Sequence, residues 1–200
     1  MSTRTSSRMT ALERREQLLD VAKAIVLDRG FHAVSIEAVA RDAGISRPIV
    51  YGHFQDLDGV LEALVEREGE RALGQLQDVM PDSFTAPDPR DRLVASLAAY
   101  LEAVRADPDT WRLVLMPQEG APRMLHERIA EGRAAVVARL AAGLGPASDT
   151  GLSPDPELTA RMLSAFADEA ARLLLAEPER FPAERLIAHA RWWMSQVPRM

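Results

Sequence analysis

Residues 44–54, GISRPIVYGHF, bring three hydrogen-bonding side chains of different chemistry close together. Arg47 carries a planar guanidinium, which can donate to two coplanar acceptors such as guanine O6 and N7. Tyr51 and His53 carry a hydroxyl and an imidazole N–H, which suit single anionic acceptors such as phosphate oxygens. The stretch therefore indicates a surface that binds a polyanion, with Arg47 as the group that could read a base.

Local signals predict that this stretch is a short helix over residues 46–54. Ser46 stands at the N-cap, and Pro48 falls in the first turn, where a missing N–H has no cost. Pro48 and Ile49 offer apolar contacts, for instance to a thymine methyl group. Phe54 is expected in the core.

Two further helices precede it. The first begins at Thr10, where TALE forms a capping box, and it ends at Gly30. Its predicted apolar face contains Leu12, Leu18, Leu19, Ala22, Ile25 and Val26. The second is short, with Ser35 as N-cap and a close at Gly44. Two short helices joined by AGIS and packed on a longer one predict a helix-turn-helix, although periodicity alone also allows an ordinary helical hairpin.

The remaining chain is predicted to be helical as well, because apolar residues recur at spacings of three and four and alternating strand runs are missing. A long helix is expected over 56–80. Asp-Pro pairs indicate the starts of three more helices. The predicted body helices cover about 88–105, 107–116, 121–142, 155–176 and 182–196. We predict an all-α protein, with a three-helix head in residues 1–55 (residues 1–9 a flexible basic arm) and a larger helical body in residues 56–200.

Charge and composition narrow the function classes. The net charge is −6, yet residues 1–55 carry +2 and the remainder −8. The mildly basic end is thus the one that contains the polyanion-binding stretch. The chain has no cysteine, which excludes disulfides and thiolate metal sites. No secretory signal or membrane-length apolar run is present in it, so we expect a cytoplasmic protein without membrane contact.

Residues 10–65 resemble the DNA-binding domain of the TetR family of transcriptional regulators. The resemblance is carried by the continuous run RREQLLDVAKAIVLDRGFHAVSIEAVARDAGISRPIVYGHF. Within this run, the family's order and spacing are matched by Gly30-Phe31, Ser35-Ile36, Val39-Ala40, Ala43-Gly44-Ile45-Ser46 and Tyr51-x-His53-Phe54. About a quarter of the chain is covered, and the rest is similar in helical character and length.

The resemblance implies a homodimer whose two heads bind a palindromic double-stranded DNA operator, and whose bodies bind a small effector that releases DNA. Repression is the expected outcome. The implied DNA contacts are Ser35, Ser46, Arg47, Pro48, Ile49, Tyr51 and His53, with Arg4, Arg8 and Thr10 from the arm. Leu57 departs from the family, which usually has a lysine there that touches phosphate. Only backbone N–H donation then remains for that contact.

The last two predicted helices correspond to the family's dimer interface. Candidate interface residues are Leu158, Met162, Leu173, Leu186 and Trp193, and the alternative is a face buried within one chain. Aromatic and methionine side chains of the body suit an adaptable apolar pocket. The pocket candidates are Tyr100, Trp111, Met116, Met124 and Phe166. Glu169 is either a polar anchor for the ligand or part of an interface or rim salt bridge, made with Arg172 or with an arginine of the partner.

Two rival functions differ in class. An all-helical enzyme finds little support, because His32, His53, His126 and His189 are far apart in sequence and no phosphate loop or nucleophile elbow is present. No metal or cofactor is indicated. The other rival is a DNA-binding regulator without an effector, which the sequence leaves open.

Overall fold

The computed structural model describes residues 9–80, 88–117, 121–145 and 153–196. Over these ranges the regular elements are all helical, which confirms the predicted fold class. They are α1 (Ala11–Arg29), a 3-10 turn (Phe31–Ala33), α2 (Ile36–Asp42), α3 (Arg47–Tyr51), α4 (Leu57–Val79), α5 (Pro89–Ala106), α6 (Pro108–Leu115), α7 (Arg123–Leu144), α8 (Pro156–Ala176) and α9 (Ala183–Gln196).

Helix boundaries follow the capping chemistry of the sequence. Thr10 and Glu13 form the predicted reciprocal capping box, since Glu13 N–H donates to Thr10 Oγ1 at 3.2 Å and Thr10 N–H to Glu13 Oε2 at 2.7 Å. The hydrogen bonds from Thr10 lower the pKa of the Glu13 carboxyl. At the other end, Gly30 has φ 85°, a left-handed value that favours glycine.

All three Asp-Pro pairs begin a helix as predicted, and two of the aspartates also cap it through the side chain. Asp88 accepts from Arg90 N–H at 2.9 Å, and Asp155 accepts from Leu158 N–H at 3.0 Å. Asp107 occupies the N-cap position of α6 but makes no side-chain cap hydrogen bond. Its carboxylate accepts from the side chains of Arg71 and Gln75 of α4, both at 3.1 Å, and the Thr110 hydroxyl of α6 lies 3.0 Å from its Oδ2.

The chain divides into two compact units, and the division falls between two consecutive residues of α4, Arg67 and Glu68. The first unit contains residues 9–67 with 121–125. Its core forms around α1 and α2 and includes Leu18, Leu19, Ala22, Ile25, Val26, Val39, Val50 and Phe54. Leu12, predicted on the same apolar face, is 70% exposed, because the first turn of α1 does not reach this core.

The second unit contains residues 68–117 and the described residues from 126 onward. One hydrophobic cluster joins α5, α6, α8 and α9 around Leu101, Val104, Trp111 and Ala171. A smaller cluster joins α7 to α8 through Leu144 and Ala160. Gly132 of α7 faces Leu73, where an added Cβ would make ordinary contact at 3.5 Å, so packing does not demand glycine here.

A buried polar network ties α4 to α6 inside the second unit. Glu68 is 0% exposed, and its Oε2 accepts from the Thr110 hydroxyl at 2.6 Å. Trp111 Nε1 donates to Gln75 Oε1 at 2.8 Å, about two helical turns further along α4. A buried carboxylate is stable only with such donors, so this network fixes the rotation of α4 against α6.

We predict that Thr110→Val destabilises the second unit by about 1–3 kcal/mol, because valine keeps the side-chain shape but removes a donor to a buried carboxylate. Thr110→Ser keeps the hydroxyl and serves as the matched control. Urea unfolding of both variants, followed by circular dichroism, measures the effect. Equal stability of the valine and serine variants would show that the hydrogen bond contributes nothing.

Candidate nucleic-acid interface

The turn between α2 and α3 is tight and needs glycine at one position. Ile45 N–H donates back to Ala40 O at 2.9 Å, and Gly44 N–H donates to Arg41 O at 3.1 Å. Gly44 has φ 68°, a conformation that side chains with a Cβ rarely adopt. The predicted AGIS connection therefore forms the turn of a helix-turn-helix.

Helix α3 is shorter than the predicted 46–54, because it ends at Tyr51 with Gly52 as its C-cap. His53 and Phe54 follow in a further turn. The N–H of His53 donates to Val50 O at 3.0 Å, and the N–H of Phe54 donates to the same oxygen at 2.9 Å. Ser46 occupies the N-cap position but makes no side-chain cap hydrogen bond. Its hydroxyl is exposed and is therefore available to another partner.

One side of α3 is fixed in the core, and the other faces solvent. Val50 is 0% exposed and Phe54 is buried, as predicted for Phe54. Arg15 of α1 holds this end in place, since its Nη1 donates to His53 O at 2.9 Å and its guanidinium lies 4.4 Å from the centroid of the Phe54 ring. The opposite surface presents Ser46, Arg47, Pro48, Ile49 and Tyr51, all of them exposed. We call these five residues the α3 face.

Arg47 on this face is already engaged. Its Nη1 donates to Glu37 Oε1 of α2 at 3.0 Å. The hydrogen bond from Arg47 holds the pKa of the Glu37 carboxyl below its ordinary value. Glu37 was not among the predicted site residues, because a first-turn acid looks like an ordinary helix-dipole residue and only the packing of α2 on α3 brings it to Arg47.

The remaining DNA-contact candidates of the head differ in their hydrogen bonds and in their exposure. Ser35 caps α2 by accepting from Ala38 N–H at 3.1 Å, which leaves its hydroxyl proton free to donate. Thr10 donates its hydroxyl to Glu13 at 2.9 Å, so a DNA contact would compete with the capping box. His53 is half-buried next to the α3 face. Arg4 and Arg8 lie outside the described residues.

At the start of α4, Leu57 stands where the family that residues 10–65 resemble usually has a lysine. Asp56 Oδ1 accepts from Gly59 N–H at 2.8 Å, so one backbone donor of this helix N-terminus is occupied by an acidic cap. Leu57 is half-buried and has no polar atom in its side chain. The geometry gives this position no side-chain phosphate contact.

Three of the pocket candidates of the body belong to one hydrophobic cluster. Tyr100 and Trp111 are buried in one cluster with ring centroids 5.1 Å apart in an edge-to-face pair, and Phe166 packs against the same cluster. Burial raises the pKa of the Tyr100 hydroxyl, so this group stays protonated and remains a donor. Met124 is half-buried at the start of α7, and Met116 is 40% exposed.

Glu169 is exposed, and its Oε2 accepts from Arg172 Nε at 3.0 Å. Of the two alternatives for this residue, the observed contact is the salt bridge. In the single chain the Glu169 side chain is 59% exposed.

Large apolar side chains are exposed on α8 and α9. Leu158 and Met162 of α8 are 55% and 58% exposed, and Trp192 of α9 is 58% exposed. Trp193 is partly covered by Phe166, with ring centroids 5.3 Å apart, while Leu173 and Leu186 are half-buried. Trp192 was not among the interface candidates, since periodicity alone placed it off the apolar face.

Comparison with known proteins decides the family. Residues 18–64 match the profile of the bacterial regulatory proteins of the tetR family, and residues 89–195 match that of the tetracyclin repressor-like C-terminal domain. The chain belongs to the TetR family. It is a DNA-binding transcriptional regulator, and the α3 face lies within the matched DNA-binding segment.

Relatives and solved structures agree with this assignment. The transcriptional activator FasR of Mycolicibacterium smegmatis is 31% identical over 111 residues, which cover 56% of this chain and only 49% of FasR. A SmeT–triclosan complex is 28% identical, with a TM-score of 0.70 over 90% of this chain and 88% of the other. A TetR-like regulator from Rhodococcus sp. RHA1 has a TM-score of 0.73 at 22% identity, covering 94% of this chain and 97% of the other.

The described part of the chain offers no candidate for a metal site or a membrane span. No group of three or more histidine or acidic side chains there could hold a metal ion. None of the helices in the described ranges is long and apolar enough to span a membrane.

Proposed function

We propose that this TetR-family regulator is a homodimeric repressor whose α3 face reads a palindromic operator and whose body binds a small apolar effector that releases DNA. The observation that carries the proposal is the α3 face itself. A guanidinium, a phenol and two apolar side chains are exposed on a helix whose other side is fully buried. A rigid helix with this composition fits the major groove, where N-terminal side chains of a recognition helix meet base edges.

Within this face we assign different roles to Arg47 and Tyr51. A guanidinium can donate to O6 and N7 of one guanine and so discriminates between base pairs. A phenol hydroxyl donates to a phosphate oxygen, which fixes the position of the helix but carries no sequence information. Ser35 at the N-terminus of α2 has a free donor for the same purpose.

We predict that Arg47→Ala weakens operator binding by about 1–3 kcal/mol, with the loss concentrated at one base pair of each half-site. Tyr51→Phe should instead weaken binding to every sequence alike, since it removes a phosphate contact. The operator is first selected from random DNA with the wild-type protein, and gel shifts then compare it with its single-base variants. A uniform loss for Arg47→Ala would refute its base-reading role, and failure to select any sequence would refute the proposal as a whole.

A second copy of this chain would cover the apolar residues that α8 and α9 expose. Leu158, Met162 and Trp192 lie on helices within the matched C-terminal domain. Excluding water from such large exposed apolar groups lowers the free energy, which favours association with a partner.

We predict that Met162→Glu weakens dimerisation at least about tenfold, because a carboxylate in an apolar interface loses its hydration without gaining a partner. Leu12→Glu is the matched control, since Leu12 is also exposed and apolar but lies on α1. Sedimentation equilibrium measures both. Unchanged association of the Met162 variant would place the interface elsewhere.

The aromatic cluster around Tyr100 and Trp111 supports the effector proposal. It provides apolar rings together with the Tyr100 hydroxyl, which stays protonated, a combination suited to a compact apolar ligand with one polar group. The SmeT structure to which this chain is similar is a complex with a small molecule, triclosan. Release of DNA requires that the ligand bind the DNA-free conformation more tightly than the DNA-bound one.

We predict that an effector found in a panel of small apolar compounds, with triclosan included, raises the Tm of the free protein and lowers its affinity for the selected operator. A reporter carrying that operator should be repressed by the protein and relieved by the compound. A compound that raises Tm but leaves DNA bound would contradict the release mechanism. Activation of the reporter would contradict repression and match the relative named an activator.

A further inference from the structure

The carboxylate of Glu37 belongs to α2 but lies beside the α3 face. Arg47 Nη1 and Glu37 Oε1 are 3.0 Å apart, and the two side chains are 62% and 61% exposed. The residues are ten positions apart and stand on separate helices, so the pair forms only when the helix-turn-helix is folded. Its location on the exposed side means that DNA bound to the α3 face meets both charges together.

The pair leaves Arg47 able to bind a base. A guanidinium has five N–H donors, and the contact with Glu37 uses Nη1 alone. Among the described residues, Arg47 Nε and Nη2 have no acceptor. Two donors are sufficient for guanine O6 and N7, so Arg47 can hold Glu37 and a guanine at the same time.

The pair also changes how Arg47 responds to DNA in general. An isolated guanidinium is attracted to any phosphate, and this attraction dominates non-specific binding. With a carboxylate 3.0 Å away, the two side chains together carry no net charge, and the carboxylate itself is repelled by phosphate. Arg47 therefore gains little from an arbitrary sequence and keeps its two free donors for a matching base.

We propose that Glu37 is a positioning residue for base recognition, which orients Arg47 toward a guanine and cancels the charge that would otherwise bind any DNA. The inference rests on the proposed function, because it takes Arg47 as the base-reading group. It adds a specificity role for a residue of α2 that touches no base itself.

The test uses four variants of the full chain, namely Glu37→Ala, Arg47→Ala, the double variant, and Asp28→Ala as control. Asp28 is an acid of the same head with a 78% exposed side chain, and its ion pair is with Arg29 rather than Arg47. Both acids are exposed, so folding should be retained. Gel shifts on the selected operator, its single-base variants and an unrelated duplex are repeated across a salt series.

We expect Glu37→Ala to bind the unrelated duplex more tightly, because Arg47 becomes free to meet a phosphate. The slope of the logarithm of the binding constant against the logarithm of the salt concentration should steepen by up to about 0.9 for each head. At the base pair that depends on Arg47, the ratio of affinities for the selected operator and its single-base variants should fall by about fivefold or more. This loss is a part of the discrimination that a bidentate contact provides. In the Arg47→Ala background, loss of Glu37 should not reduce discrimination further. Asp28→Ala should leave discrimination unchanged.

Two results would overturn the inference, and they are distinguishable. If Arg47→Ala relaxes discrimination but Glu37→Ala only shifts all affinities as Asp28→Ala does, then Arg47 reads a base without help from Glu37. If Arg47→Ala leaves discrimination unchanged, the base-reading role in the proposed function is wrong and the role of Glu37 falls with it.

Discussion

The short length of α3 is the constraint on which the head depends. A helix of five residues has too few internal hydrogen bonds to persist alone, so tertiary contacts must hold it. Val50 supplies one anchor at the centre, Phe54 supplies another after the helix has ended, and Arg15 fixes the backbone between them. The tight turn at Gly44 sets where the helix begins. Its exposed side chains are therefore positioned by the core of the head and not by the helix itself.

Helix α4 belongs to both units, and within each unit a charged side chain of α4 contacts another helix. Arg67 Nη1 lies 3.0 Å from Glu16 Oε2 and 2.9 Å from Asp20 Oδ1 of α1. The next residue, Glu68, is buried against Thr110 of α6. Because a buried carboxylate is costly to separate from its donor, the contact between Glu68 and Thr110 resists rotation of α4 within the second unit.

Sequence signals predicted the helices well because most boundaries here are set by local chemistry. Thr10, Asp88 and Asp155 each cap a helix through atoms within three residues, which a sequence pattern can show. What the sequence patterns missed is set by distant residues. The early end of α3 depends on packing of Phe54, and the contacts of Asp107 with Arg71 and Gln75 and of Arg47 with Glu37 come from other helices.

The charge distribution around the α3 face favours discrimination between DNA sequences over high affinity for DNA in general. The head carries only a small positive excess, an acidic cap occupies the start of α4 at Asp56, and Glu37 neutralises Arg47. Such a surface gains little of the counterion-release free energy that drives non-specific binding. On the proposed function, its affinity for a correct site would then come mainly from groups that discriminate, the paired donors of Arg47 and the apolar contacts of Pro48 and Ile49. For a regulator that must find one site among very many, the ratio of specific to non-specific affinity decides occupancy, and low background attraction raises that ratio directly.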